Sequence, residues 1–153
     1  MIQTAFKLIL NQKATEDLED FRKNYDQILN IIKPFSKKIY TVSPLILGEN
    51  IKNIWNESLR VLSNEITKIS SKSKNIEYID LQKKIYKILS SQKSSEYIIE
   101  TKGQIGDYIS KTSENIKKIS NKNHLQLTID GVHLNNKGAQ IVADIFYKTI
   151  KEG

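Results

Sequence analysis

The chain has 153 residues, of which 39% are hydrophobic and 27% charged, enough for one compact domain with a core and too few for two. It contains no cysteine, which excludes a disulfide framework, a thiolate metal site and a cysteine nucleophile. The formal charge of +7 invites an anionic partner, but the basic residues are 22 Lys with only Arg22 and Arg60, whereas phosphate and base recognition favour the bidentate guanidinium. The 25 Ile and 13 Asn that accompany the lysines point to codon bias, so nucleic acid is not an expected partner. No apolar run reaches the roughly 18 to 20 residues needed to span a bilayer, and residues 1–10 lack the basic leader and small-residue cleavage site of a signal peptide. A soluble, cytoplasmic protein is the expectation.

In chain order, residues 5–10 are a marginal strand. Thr15, followed by Glu16, Asp17, Leu18 and Glu19, predicts a helix start, with a capping hydroxyl and with acids where the macrodipole favours them. Leu18, Phe21, Tyr25, Ile28, Leu29 and Ile32 then mark one apolar face up to Lys33, and Pro34 ends it. Residues 39–43 (IYTVS) read as a buried strand leading into a loop over 44–48. A second helix is expected over about 50–71, with Ile51, Ile54, Trp55, Leu59, Leu62, Ile66 and Ile69 on one face. Residues 76–80 (IEYID) form a second strand, followed by a short helix carrying Leu81, Ile85, Ile88 and Leu89.

This alternation argues for parallel strands joined by helical crossovers, an α/β layered fold over 1–153. Residues 90–123, rich in Ser, Lys and Asn with Gly103 and Gly106, break the pattern; an irregular insertion with some helix over 108–119 is expected. Residues 127–134 (LTIDGVHL) then lead into a last helix over about 135–151, with Ile141, Val142, Ile145, Phe146 and Ile150 as its apolar face. Two such strands make a thin sheet, since parallel strands are normally flanked and covered on both faces.

The two histidines differ in setting. His124 lies in a polar stretch, NKNHLQ, and reads as a surface residue. His133 follows Asp130 by three residues across Gly131, so the carboxylate can hold Nδ1 and aim Nε2 outward as a general base; alternatively, Asp130 caps the turn and His133 is merely polar. Asp80, at a strand's C-terminal end, is a ligand-site candidate or the cap of the next helix. Glu16, Asp17, Glu19 and Asp20 read as solvated first-turn charges rather than a cation site, and Tyr25 and Trp55 read as core. No Walker loop, dinucleotide fingerprint or zinc spacing is present, so neither cofactor nor metal is expected.

The block Asp130-Gly131-Val132-His133-Leu134-Asn135-Asn136-Lys137-Gly138 before an apolar helix resembles the last sequence block of the SGNH hydrolases, the GDSL-type esterases and lipases. Upstream, IYTVSP (39–44), LSNEI (62–66) and IEYIDL (76–81) are similar to earlier family blocks in the family's order. The resemblance implies a three-layer α/β/α, flavodoxin-like fold and a small-molecule or lipid ester substrate. It also implies Asp130 and His133 as acid and base of a Ser-His-Asp triad. Gly138, near a helix start where glycine is costly, suggests close backbone approach, or else is an ordinary surface glycine. The family's Gly-Asp-Ser nucleophile block and Gly-x-Asn-Asp block find no counterpart; Asn11 does not match the latter, and its role is not carried over. The chain therefore looks like a truncated, C-terminal portion of such an enzyme. Little activity alone, self-association through exposed apolar surface, or completion by a separate N-terminal chain are the corresponding expectations. The competing reading is a non-enzymatic basic module that binds a protein partner, an anionic membrane or nucleic acid through its Lys-rich faces.

Overall fold

The computed structural model describes residues 17–91, 95 and 113–152. The strand expected over 5–10, Thr15, Glu16, Asn11 and most of the 90–123 insertion lie outside the described residues. Within them, five helices and two strands follow in the order α1 (Leu18–Ile32), a 3-10 turn (Lys33–Phe35), β1 (Ile39–Val42), α2 (Ile54–Ser70), β2 (Ile76–Ile79), α3 (Leu81–Ser90), α4 (Ser113–Lys122) and α5 (Asn136–Glu152).

The first helix is capped by Asp17, whose carboxylate accepts from the Asp20 amide at 2.8 Å. Asp17 is the last extended residue before α1, and its short carboxylate reaches the third amide of the turn. The helix tightens to 3-10 at Pro34, which has no N–H to continue the α ladder. Two short parallel strands are the sheet: β1 pairs β2 with Ile39 opposite Ile76 and Val42 opposite Ile79. Helix α2 is the crossover between them, as the alternation of elements predicts, and the fold is α/β with a short parallel sheet.

Two apolar clusters hold these elements. Leu29, Ile39, Ile69 and Ile76, with Tyr25 and Ile32 against them, join α1, α2 and the entrances of both strands. Ile46, Ile85, Leu89 and Leu127, flanked by Leu45, Ile51, Tyr86, Ile88 and Ile141, join the loop after β1 to α3, the segment before His133 and α5. Arg22 on α1 and Lys68 on α2 both pair with the buried Glu65, and the Arg22 hydrogen bond, ahead of that from Lys68, holds the Glu65 carboxyl down at about 2.

Trp55 is 58% exposed and is not core, nor are Ile54 and Ile28. The inward position of α2's first turn belongs to Asn56, which is fully buried; its neighbour Trp55 is rotated about 100° away around the helix. In α1 the inward position is Leu29, and the same rotation turns Ile28 outward. Helix α2 also begins at Ile54, four residues later than the pattern suggests, because Asn53 caps it by accepting from the Asn56 amide at 2.7 Å.

Helix α4 covers Ser113–Lys122, the first part of the turn expected over 108–119 lies outside the described residues, and His124 terminates the helix. The Leu125 amide donates to Ser120 O at 2.8 Å and the His124 amide to Asn121 O at 3.1 Å, the paired pattern of a Schellman cap. His124 sits there with φ 53°, a conformation that costs a Cβ-bearing residue roughly 1 kcal/mol. His124→Gly is therefore expected to stabilise the protein by about 1 kcal/mol in urea denaturation; a neutral or destabilising result would contradict a strained cap.

Candidate active site

The segment from Leu127 to Asn135 folds back on itself. Thr128 and Leu134 form an antiparallel bridge, the Ile129 amide donates to His133 O at 2.8 Å, and the Asn135 amide donates to Leu127 O at 2.9 Å. The reversal is made at Gly131, with φ 83°, where a side chain would be strained. Asp130 lies inside this turn, 2% exposed. Its Oδ1 accepts from the Val132 amide at 2.9 Å and the His133 amide at 2.7 Å. Its Oδ2 lies 2.8 Å from His133 Nδ1.

The turn thus fixes the carboxylate through backbone and leaves its second oxygen for the imidazole. An ionised carboxylate only accepts, so the proton between the two belongs to Nδ1, and Nε2 is the basic nitrogen. The two side chains differ in exposure: Asp130 is 3% exposed and His133 67%. A buried orienting acid with an accessible imidazole can take a proton from, and return it to, a group arriving from outside.

Asn135 extends the construction. Its Oδ1 accepts from the Gly138 amide at 3.0 Å, capping α5, while Nδ2 donates to Gln126 O at 3.1 Å and to Thr128 O and Ser120 Oγ at 3.3 Å each. Gly138 meets the Leu127 carbonyl so closely that a Cβ there would stand 2.1 Å from its oxygen. The close backbone approach expected at Gly138 is therefore present.

The other candidates serve structure or solvent. Asp80 caps α3, accepting from the Lys83 amide at 2.8 Å; Ser43, at the end of β1, accepts from the Gln82 amide at 2.9 Å beside it. Glu19 and Asp20 are exposed first-turn acids of α1. No group of three or more metal-ligating side chains occurs among the described residues, and no described helix is long and apolar enough to cross a membrane.

Sequence reasoning missed two buried residues behind the turn. Glu49, 3% exposed, accepts from the amides of Gln126, Leu127 and Thr128 and from the Thr128 hydroxyl. Asn56, fully buried, holds the loop that carries Glu49. Nothing local marks either of them. Asn135 was legible in principle, as an Asn directly before a helix and three residues ahead of the glycine whose amide it caps.

The model of the GDSL-like lipase/acylhydrolase family matches residues 10–146, which includes every described element except the last turns of α5. No curated protein and no solved structure matches the chain significantly. With the match running through the Asp130 and His133 turn and nearly the whole sequence, the chain belongs to the GDSL-like lipase/acylhydrolase family, a family of lipase- and esterase-type acylhydrolases.

Proposed function

We propose that this chain contributes the acid and base of an acyl-ester hydrolase, with His133 Nε2 as general base and Asp130 as the group that orients it. The observation that carries the reading is the 2.8 Å contact of Asp130 Oδ2 with His133 Nδ1, between a buried carboxylate and an exposed imidazole, inside the family's last block. In such a triad the base takes the serine proton as Oγ attacks the ester carbonyl, and then delivers it to the leaving alkoxide. Asp130 stabilises the imidazolium that forms between the two transfers.

The sequence has no Gly-Asp-Ser block to supply Oγ and no glycine block to supply an oxyanion donor, and a single such donor is worth roughly a hundred- to a thousandfold in rate. The 153-residue chain on its own is accordingly expected to turn over esters weakly or not at all. A separate polypeptide bearing the serine would complete the site.

Fluorophosphonate labelling of the folded chain, checked by circular dichroism and run beside His133→Ala, tests this. The expected result is no labelled serine in the chain alone. A single labelled serine that disappears in His133→Ala would assign the nucleophile to this chain and keep His133 as its base. Labelling that His133→Ala leaves unchanged would overturn the role of His133.

A further inference from the structure

Glu49 is a buried carboxylate to which the triad chemistry gives no task. Its Oε1 accepts from the Leu127 amide at 2.7 Å, the Thr128 amide at 2.8 Å and the Thr128 hydroxyl at 2.7 Å. Its Oε2 accepts from the Gln126 amide at 2.7 Å. Burying a carboxylate is tolerated where donors meet its lone pairs, and all four donors here come from three consecutive residues almost eighty positions away in sequence. Its neighbour Gly48 adds a second grip, the Gly48 amide donating to Gly131 O at 2.7 Å. One short loop therefore holds the chain on both sides of Asp130, at 126–128 before it and at Gly131 after it.

We infer that Glu49 is a positioning residue for the Asp130 and His133 pair, fixing the turn so that the Asp130 carboxylate keeps His133 in the Nδ1–H form. The path is short. Thr128 is bridged to Leu134 and Ile129 is bonded to His133 O, so a displacement of 126–128 moves both ends of the turn that aims Asp130. The importance of this tether for hydrolysis rests on His133 acting as the base; the tether itself does not.

A carboxylate is required because both of its oxygens face N–H donors. The amide of a glutamine has one oxygen and one NH2, and either orientation sets the NH2 against a backbone N–H: that of Gln126 in one, those of Leu127 and Thr128 in the other. Glu49→Gln is nearly isosteric and should loosen the turn without emptying the site.

The readout is the imidazole tautomer, from long-range proton–nitrogen NMR at a pH where both histidines are neutral. Wild-type His133 is expected in the Nδ1–H form. In folded Glu49→Gln it is expected to shift predominantly to the Nε2–H form that a solvated neutral imidazole favours, while His124, outside the turn, stays unchanged. A folded Glu49→Gln protein with His133 still fully Nδ1–H would overturn the inference. If the variant does not fold, amide exchange in the wild type decides: Thr128, Val132 and His133 are expected to open together, and independent opening would overturn the tether.

The two readings fail separately. Tautomer shift in Glu49→Gln, together with serine labelling indifferent to His133→Ala, removes the base role and supports the tether. An unmoved tautomer removes the tether and says nothing against the base.

Discussion

Gly138→Ala is expected to destabilise the protein by about 3 kcal/mol, at the upper end of the usual cost of overpacking. Helix propensity predicts the opposite sign, since Gly138 lies within α5 and alanine is favoured over glycine in a helix by about 1 kcal/mol. Packing decides the outcome. The added Cβ would stand 2.1 Å from Leu127 O and 2.9 Å from Leu134 Cδ2. The first of these is backbone and cannot rotate away, so the helix and the segment at Leu127 must separate. That separation strains the Asn135 amide bond to Leu127 O and the Asn135 cap on the Gly138 amide, and it disturbs Leu127, fully buried in the second apolar cluster. Chemical denaturation beside Gln140→Ala, an exposed position of the same helix, separates the effects. A Gly138→Ala loss below about 1 kcal/mol, within the range of ordinary propensity effects, would show that the contact relaxes without cost.

What the sequence revealed and what it hid divide along the same line. Helices α1, α2 and α3, and both strands, were legible because hydrophobic period is a local property that survives without knowledge of neighbours. The turn from Asp130 to His133 was legible for the same reason: acid, glycine and imidazole lie within four residues, and the carboxylate reaches both amides and the ring from its own loop. Which residues of an amphipathic stripe go inward was not legible, because that depends on what the helix meets. Trp55 lost the inward place to Asn56 since the loop before α2 needs a hydrogen-bonding side chain at its centre, not an apolar one. Glu49 was invisible for a stronger reason. Its partners, Gln126, Leu127 and Thr128, contribute mainly amides, and an amide carries no residue identity that a sequence could display. The stretch 44–50 looks like an ordinary Pro- and Gly-punctuated connection, yet it is the support of the candidate site.

That support hangs from Asn56, and Asn56→Asp is expected to destabilise the protein by about 3 kcal/mol or more at neutral pH, the scale of an uncompensated buried charge. Asn56 Nδ2 donates to Leu47 O at 3.2 Å, Gly48 O at 3.1 Å and Asn50 O at 2.9 Å, and Oδ1 accepts from the Leu47 amide at 2.9 Å. The substitution keeps the shape and the Oδ1 acceptor. It replaces the one group that three carbonyls converge on with an anionic oxygen, in a site with no solvent access. Desolvation and the carbonyl dipoles both disfavour the charge, so the folded-state pKa of the introduced acid lies above its unfolded value. Protonation therefore favours the folded form, and the deficit is largest above the folded pKa and shrinks as pH falls through it toward the unfolded value near 4. The difference in unfolding free energy between wild type and Asn56→Asp, measured by urea denaturation at several pH values, should narrow on acidification. A deficit independent of pH would mean that the loop opens and hydrates the carboxylate. The same loop carries Gly48 and Glu49, whose bonds reach Gly131 and residues 126–128, so in the neutral range the variant is also expected to loosen the turn at Asp130.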